Sequence, residues 1–114
     1  MSWWVSLRDN EGNIARVREH QEGGTLVVGG SAEADLNVTY NYSLVTRPIE
    51  FHFHDSLDGQ KAEHTIDLLQ RVVDKLGDKP ADNYWAPVPG NAGHAAAILL
   101  KWAKQYPEYT WCVI

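Results

Sequence analysis

Residues 83–105 read NYWAPVPGNAGHAAAILLKWAKQ, and the fold turns on them. Tyr84 and Trp85 open the stretch as an aromatic pair, and Pro87, Pro89 and Gly90 mark a loop after them. From Asn91 onward the residues become small or apolar. Ala95, Ile98, Leu99, Trp102 and Tyr106 then fall on one helical stripe. Asn91 is a natural N-cap for that helix, because its side-chain oxygen suits an unpaired amide of the first turn. Pro107 stops it, since proline cannot continue the backbone ladder. Three alanines, Ala95 to Ala97, permit close approach to whatever the helix packs on. The pattern predicts a central helix over residues 92–105 with Trp102 in the core.

Working outward, the N-terminal segment alternates. Trp3, Val5 and Leu7 share one face, and Trp4, Ser6 and Arg8 share the other. Turn chemistry at residues 9–13 and a more charged run at 14–20 predict a hairpin. A second turn covers 21–24, and a short strand over 25–28 ends at Gly29-Gly30. Residues 36–43 form the cleanest strand pattern, with Leu36, Val38, Tyr40 and Tyr42 on one face. Asn37, Thr39, Asn41 and Ser43 make a polar row on the other. Residues 44–58 fit either a strand, because Ile49, Phe51 and Phe53 alternate with Glu50, His52 and His54, or a loop leading to a helix. Ala62, Ile66, Leu69, Val73 and Leu76 predict a helix over 60–76, closed by Gly77. Residues 110–113 read as a last apolar strand. The fold class expected is α+β: an antiparallel sheet of four or five strands with two helices on one face, forming a single domain over residues 1–114.

At 114 residues and 12.8 kDa, such a domain has room for a core without disulfides. A net charge of −5 and a pI near 5.4 argue against a nucleic-acid backbone as partner, which needs a basic footprint. No window approaches the roughly 18 apolar residues of a membrane span. The start MSWWVSLRDN lacks the basic, then apolar, pattern of an export signal. A single cysteine, Cys112, between Trp111 and Val113, reads as a strand residue in a reducing interior. These features together predict a cytoplasmic protein.

Three groups of residues bear on function. The first is His52-Phe53-His54-Asp55 with His64 beyond it. Histidines two apart on a strand share a face and suit a metal, which would serve a small hydrolase. The more frequent role of such histidines is that of plain polar surface, and the spacing does not meet the His-x-His-x-Asp-His signature. The second is Gly90, Asn91, Gly93 and His94 at the helix start. Free amides there, glycines that admit a ligand, and Tyr84 and Trp85 to stack on it would make an anion or nucleotide site. Asn37, Thr39 and Asn41 from the polar row would complete it. The competing role for the glycines is close packing of helix on sheet. The third is the set of five tryptophans, Trp3, Trp4, Trp85, Trp102 and Trp111. Trp3 and Trp4 point to opposite faces, so at least one suits a partner surface or a second copy of the chain.

The segments WWVSLRDNEGN, EGGTLVVGGSAEADLNVTYNYS, LDGQKAEHTIDLL and NYWAPVPGNAGHAAAILLKWAKQYPE resemble a family of short uncharacterised proteins encoded by bacteriophages and prophages. LNVTYNYS and YWAPVPGNAG are the most specific pieces of that resemblance. It implies a bacterial cytoplasm during infection and no particular reaction. No nucleophile–base pair or paired carboxylate site is legible, so binding is favoured over catalysis, with no cofactor. The expected function is a small accessory protein that binds a host protein or host signalling molecule, with countering host defence as one role. A nucleotide- or anion-binding protein built on the 90–94 helix start is the first alternative. A metal-dependent hydrolase using His52 and His54 is the second.

Overall fold

The computed structural model describes residues 1–20 and 31–114. The expected strand at 25–28 and the turns around it lie outside those residues. The chain is α+β, as its pattern predicts. Strands β1 (Ser2–Arg8), β2 (Arg16–His20), β3 (Ser31–Glu33) and β4 (Asp35–Thr39) come first, then the short helix α1 (Ser43–Thr46). Helices α2 (Ile66–Leu76) and α3 (Pro89–Gln105) follow, and strand β5 (Thr110–Val113) closes the order.

The expected strands pair in two groups instead of one sheet. β1 is the centre of an antiparallel three-stranded sheet, order β4-β1-β5, and β2 pairs with β3 as a separate ribbon. The two part at a ring of three backbone bonds. Leu7 N–H donates to Ala34 (3.0 Å), Ala34 to Ala15 (2.9 Å), and Ala15 back to Leu7 (2.8 Å). All three residues are buried.

Register puts Trp3 opposite Val38, Val5 opposite both Leu36 and Val113, and Leu7 opposite Trp111. That face is the floor of the core, and α2 and α3 supply Leu69, Val72, Ala95, Leu99 and Trp102 to the same cluster. Trp4 lies on the opposite face, 47% exposed. The outer edge of β5 is closed by residues 58–62. Gly59 N–H donates to Trp111 (2.9 Å), Trp111 N–H to Gln60 (2.9 Å) and Ala62 N–H to Tyr109 (2.8 Å). An edge sealed in this way offers no unpaired ladder to another chain.

Two local expectations are corrected. The strand predicted over 36–43 stops at Thr39. Residues Tyr40–Tyr42 form a 3-10 turn, and α1 follows directly. Thr39 Oγ1 accepts the Asn41 N–H (3.2 Å) and Ser43 Oγ donates to the Tyr40 carbonyl (2.8 Å). Such local bonds offer the backbone an alternative to the ladder, and here they win over alternation. The strand option for 44–58 also fails. After a 3-10 turn at Arg47–Ile49, Glu50 takes a left-handed conformation (φ 58°) and residues 53–59 are turns. Phe51 and Phe53 are both buried, the first from irregular backbone and the second from the turn, and neither from a strand.

The second helix begins as a 3-10 turn at Ala62–Thr65 before α2 proper, and Gly77 ends it with φ 77°. Among the described residues, no helix is long and apolar enough to cross a membrane.

Candidate functional site

The 83–88 loop is held from two sides. On one side Asn41 Nδ2 donates to the Trp85 carbonyl (2.8 Å), and the Tyr42 hydroxyl donates to the Tyr84 carbonyl. On the other side stands Asn91. Within the loop, Trp85 N–H donates to Asn83 Oδ1 (3.1 Å). The residues predicted at the end of the polar row and in the aromatic pair therefore do meet.

The helix start works differently from the expectation. α3 begins at Pro89, whose fixed φ and missing N–H suit the first helical position, with Val88 as the N-cap. Asn91 is inside the helix and is no cap. Its side chain is 1% exposed and makes three bonds: Oδ1 accepts from Ala81 N–H (2.8 Å), and Nδ2 donates to the carbonyls of Asn83 and Ala86 (2.9 Å each). It thus pins both ends of the loop that carries Tyr84 and Trp85.

Gly90 and Gly93 lie against the chain's own backbone. A Cβ on Gly90 would overlap the Lys79 carbonyl oxygen, and one on Gly93 would overlap that of Gly77. The space expected to admit a ligand is taken by residues 77–79. His94 joins the same junction, its Nδ1 3.1 Å from the Asp78 carbonyl oxygen. With Asn91, these three residues fasten the α2–α3 connection to α3.

Asn37 and Thr39 are buried, not displayed. Asn37 is 8% exposed, with Nδ2 donating to the Trp3 carbonyl (3.1 Å), and Thr39 is 2% exposed. Of the polar row, Asn41 reaches the surface beside Trp85. Exposed apolar residues lie on the two segments that the Asn41–Trp85 bond joins: Tyr40 and Leu44 on either side of Asn41 in the chain, and Trp85 and Val88 in the 83–88 loop. Leu44 and Val88 carried no signal in the sequence, because a lone apolar residue in a presumed strand or proline loop reads as core or spacer.

The histidines occupy turns. His54 Nδ1 is 2.9 Å from Asp55 Oδ1, and its Nε2 is 3.9 Å from Asp58 Oδ2. His52 Nδ1 lies 3.8 Å from Asp55 Oδ2. The His54 contact first, and the nearby His52, hold the Asp55 carboxyl below the usual carboxylate range. His64 sits apart on the Ala62–Thr65 turn beside Glu63 (3.6 Å). Among the described residues, no three histidine, cysteine, aspartate or glutamate side chains converge to hold a metal ion.

Comparison of the chain with protein-family models, curated proteins and solved structures gives no match.

Proposed function

We propose that this chain acts by binding and not by catalysis, as a small phage-type accessory protein that engages a host protein in the bacterial cytoplasm. The observation that carries this reading is the exposure of Tyr40, Leu44 and Trp85 on two segments that Asn41 ties together. Two elements distant in sequence are bonded together there, through Asn41 and the Trp85 carbonyl. Trp85 is 47% exposed and Leu44 66%. Large aromatic groups held on a fixed backbone are the usual anchors of a protein interface, because little entropy is lost when they are covered. Countering host defence is one role such binding would serve.

The nucleotide alternative has less support. An anion at the start of α3 needs the approach that the carbonyls of Gly77 and Lys79 already occupy. Capture from a bacterial lysate tests the choice, with wild type compared against Trp85→Ala and Leu44→Asp after circular dichroism has confirmed folding. A host protein retained by wild type and lost by both variants supports the reading. A host protein retained equally by all three, or a co-purifying nucleotide with no protein, overturns it.

A further inference from the structure

Residues 52–58 form a turn whose first residue, His52, occupies the position of a helix cap. The Asp55 backbone N–H donates to His52 Nδ1 (3.2 Å), and the His52 N–H donates to Ser56 Oγ (3.0 Å). The Ser56 N–H returns to the His52 carbonyl (2.9 Å) and the Asp58 N–H to that of His54 (2.8 Å). This is the reciprocal logic of a capping box, in which a side-chain acceptor and a later side chain serve each other's backbone amides. The usual acceptor is a serine, threonine or aspartate oxygen, which keeps its lone pair through the physiological range. An imidazole nitrogen accepts only when unprotonated. The Asp55 amide can therefore hold to Nδ1 only while that nitrogen carries no proton.

We infer that the His52 cap is a proton-sensitive latch, which opens when His52 takes up a proton and shifts the aromatic stack leading to Tyr40. On protonation Nδ1 becomes a donor and faces the Asp55 N–H, another donor. Asp55 Oδ2, 3.8 Å away, is the nearby acceptor to which the new N–H turns. The carboxylate is already ionised throughout the histidine range, and the His54 contact lowers its pKa further. The ring cannot turn unnoticed: it sits edge-on to Trp3 (centroids 5.0 Å, 71°), and Trp3 in turn packs on Tyr40 (4.2 Å, 53°). The titratable groups around His52 are Asp55 and His54 on its own turn, Asp58 behind His54, and Glu50 before the turn. Tyr40 lies beyond Trp3, and the Met1 amino group stands at the head of β1. Tyr40 belongs to the proposed partner surface, so control of binding by this latch rests on that reading, whereas the latch itself does not.

The test is an NMR titration of the free protein from about pH 8 to about pH 5, the span in which histidine changes charge. The Asp55 backbone amide and the Trp3 indole N–H should shift together, with the midpoint of His52 ring protonation. His52→Asn replaces Nδ1 with an amide oxygen that accepts the same N–H and does not titrate, so both signals should lose that transition. His54→Gln should keep it. An Asp55 amide and Trp3 signal that stay still while His52 protonates would overturn the latch, as would a transition that persists in His52→Asn. Failure of the binding surface would appear in the Trp85→Ala capture and leave this titration unchanged.

Discussion

Gly93 on α3 packs directly on the carbonyl of Gly77 at the end of α2, close enough that no Cβ fits between them. The contact fixes where α3 begins relative to α2 and holds the 77–79 backbone over the first turn. Alanine at 93 would gain about 1 kcal/mol of helix propensity. Against that, a Cβ there would stand 2.8 Å from the Gly77 carbonyl carbon, with backbone and no flexible side chain as the obstacle. Overpacking costs about 1–3 kcal/mol and more when the backbone must move. Gly93→Ala should therefore be net destabilising, and Gly93→Val more so, read as a fall in the urea midpoint. A midpoint at or above wild type for Gly93→Ala would refute the packing account.

Asn91→Ala should loosen the whole 81–86 loop. It removes one acceptor and two donors at a buried position, leaving the Ala81 N–H and the carbonyls of Asn83 and Ala86 without that partner. Each buried group left unsatisfied costs about 1–3 kcal/mol, less wherever water can enter. Hydrogen exchange should report faster opening at Ala81, with stability lower by about 2 kcal/mol overall. Unchanged protection at Ala81 would show that the side chain does not hold the loop.

Two tryptophans separate core from surface. Trp102 is 3% exposed on α3, so Trp102→Ala should cost about 3–5 kcal/mol, the range for deleting a buried large aromatic. Trp4→Ser, at a position 47% exposed on the opposite sheet face, should cost clearly less than that. Chemical denaturation of the two variants side by side reads both values, and similar losses would contradict the assignment of the sheet faces.

Tyr42 makes stability depend on alkaline pH. Burial, and secondarily the nearby Tyr84, push its phenol up from 10.0 to about 12. The neutral phenol is the form that donates to the Tyr84 carbonyl. Because the folded value exceeds the unfolded one, this contribution is full below pH 10.0 and is lost as the pH rises toward about 12. Thermal melts across that window should fall more steeply for wild type than for Tyr42→Phe. Parallel curves would mean that the hydroxyl does not report on folding.

Elements whose signals are local and periodic are legible in the residues alone. The β1 alternation, the Asp9–Asn13 turn, the two long helices and β5 all follow from side-chain period and turn chemistry, as does the burial of Trp102. Whatever depends on which neighbour arrives is settled by the folded chain. Gly90, Gly93 and Asn91 look the same in sequence whether they meet a ligand or a loop. Only the return of residues 77–86 over the start of α3 makes them packing residues. Asn37 and Thr39 alternate like a solvent face, yet the folded chain buries both. The end of β4 is set by hydroxyl-to-backbone bonds at Thr39 and Ser43, too short in range to disturb the hydrophobic period. His52 reads as one polar residue among several until the turn brings the Asp55 amide to its ring. Periodicity reports which face of an element is apolar; it carries no information on what backbone, three or thirty residues away, will lie against it.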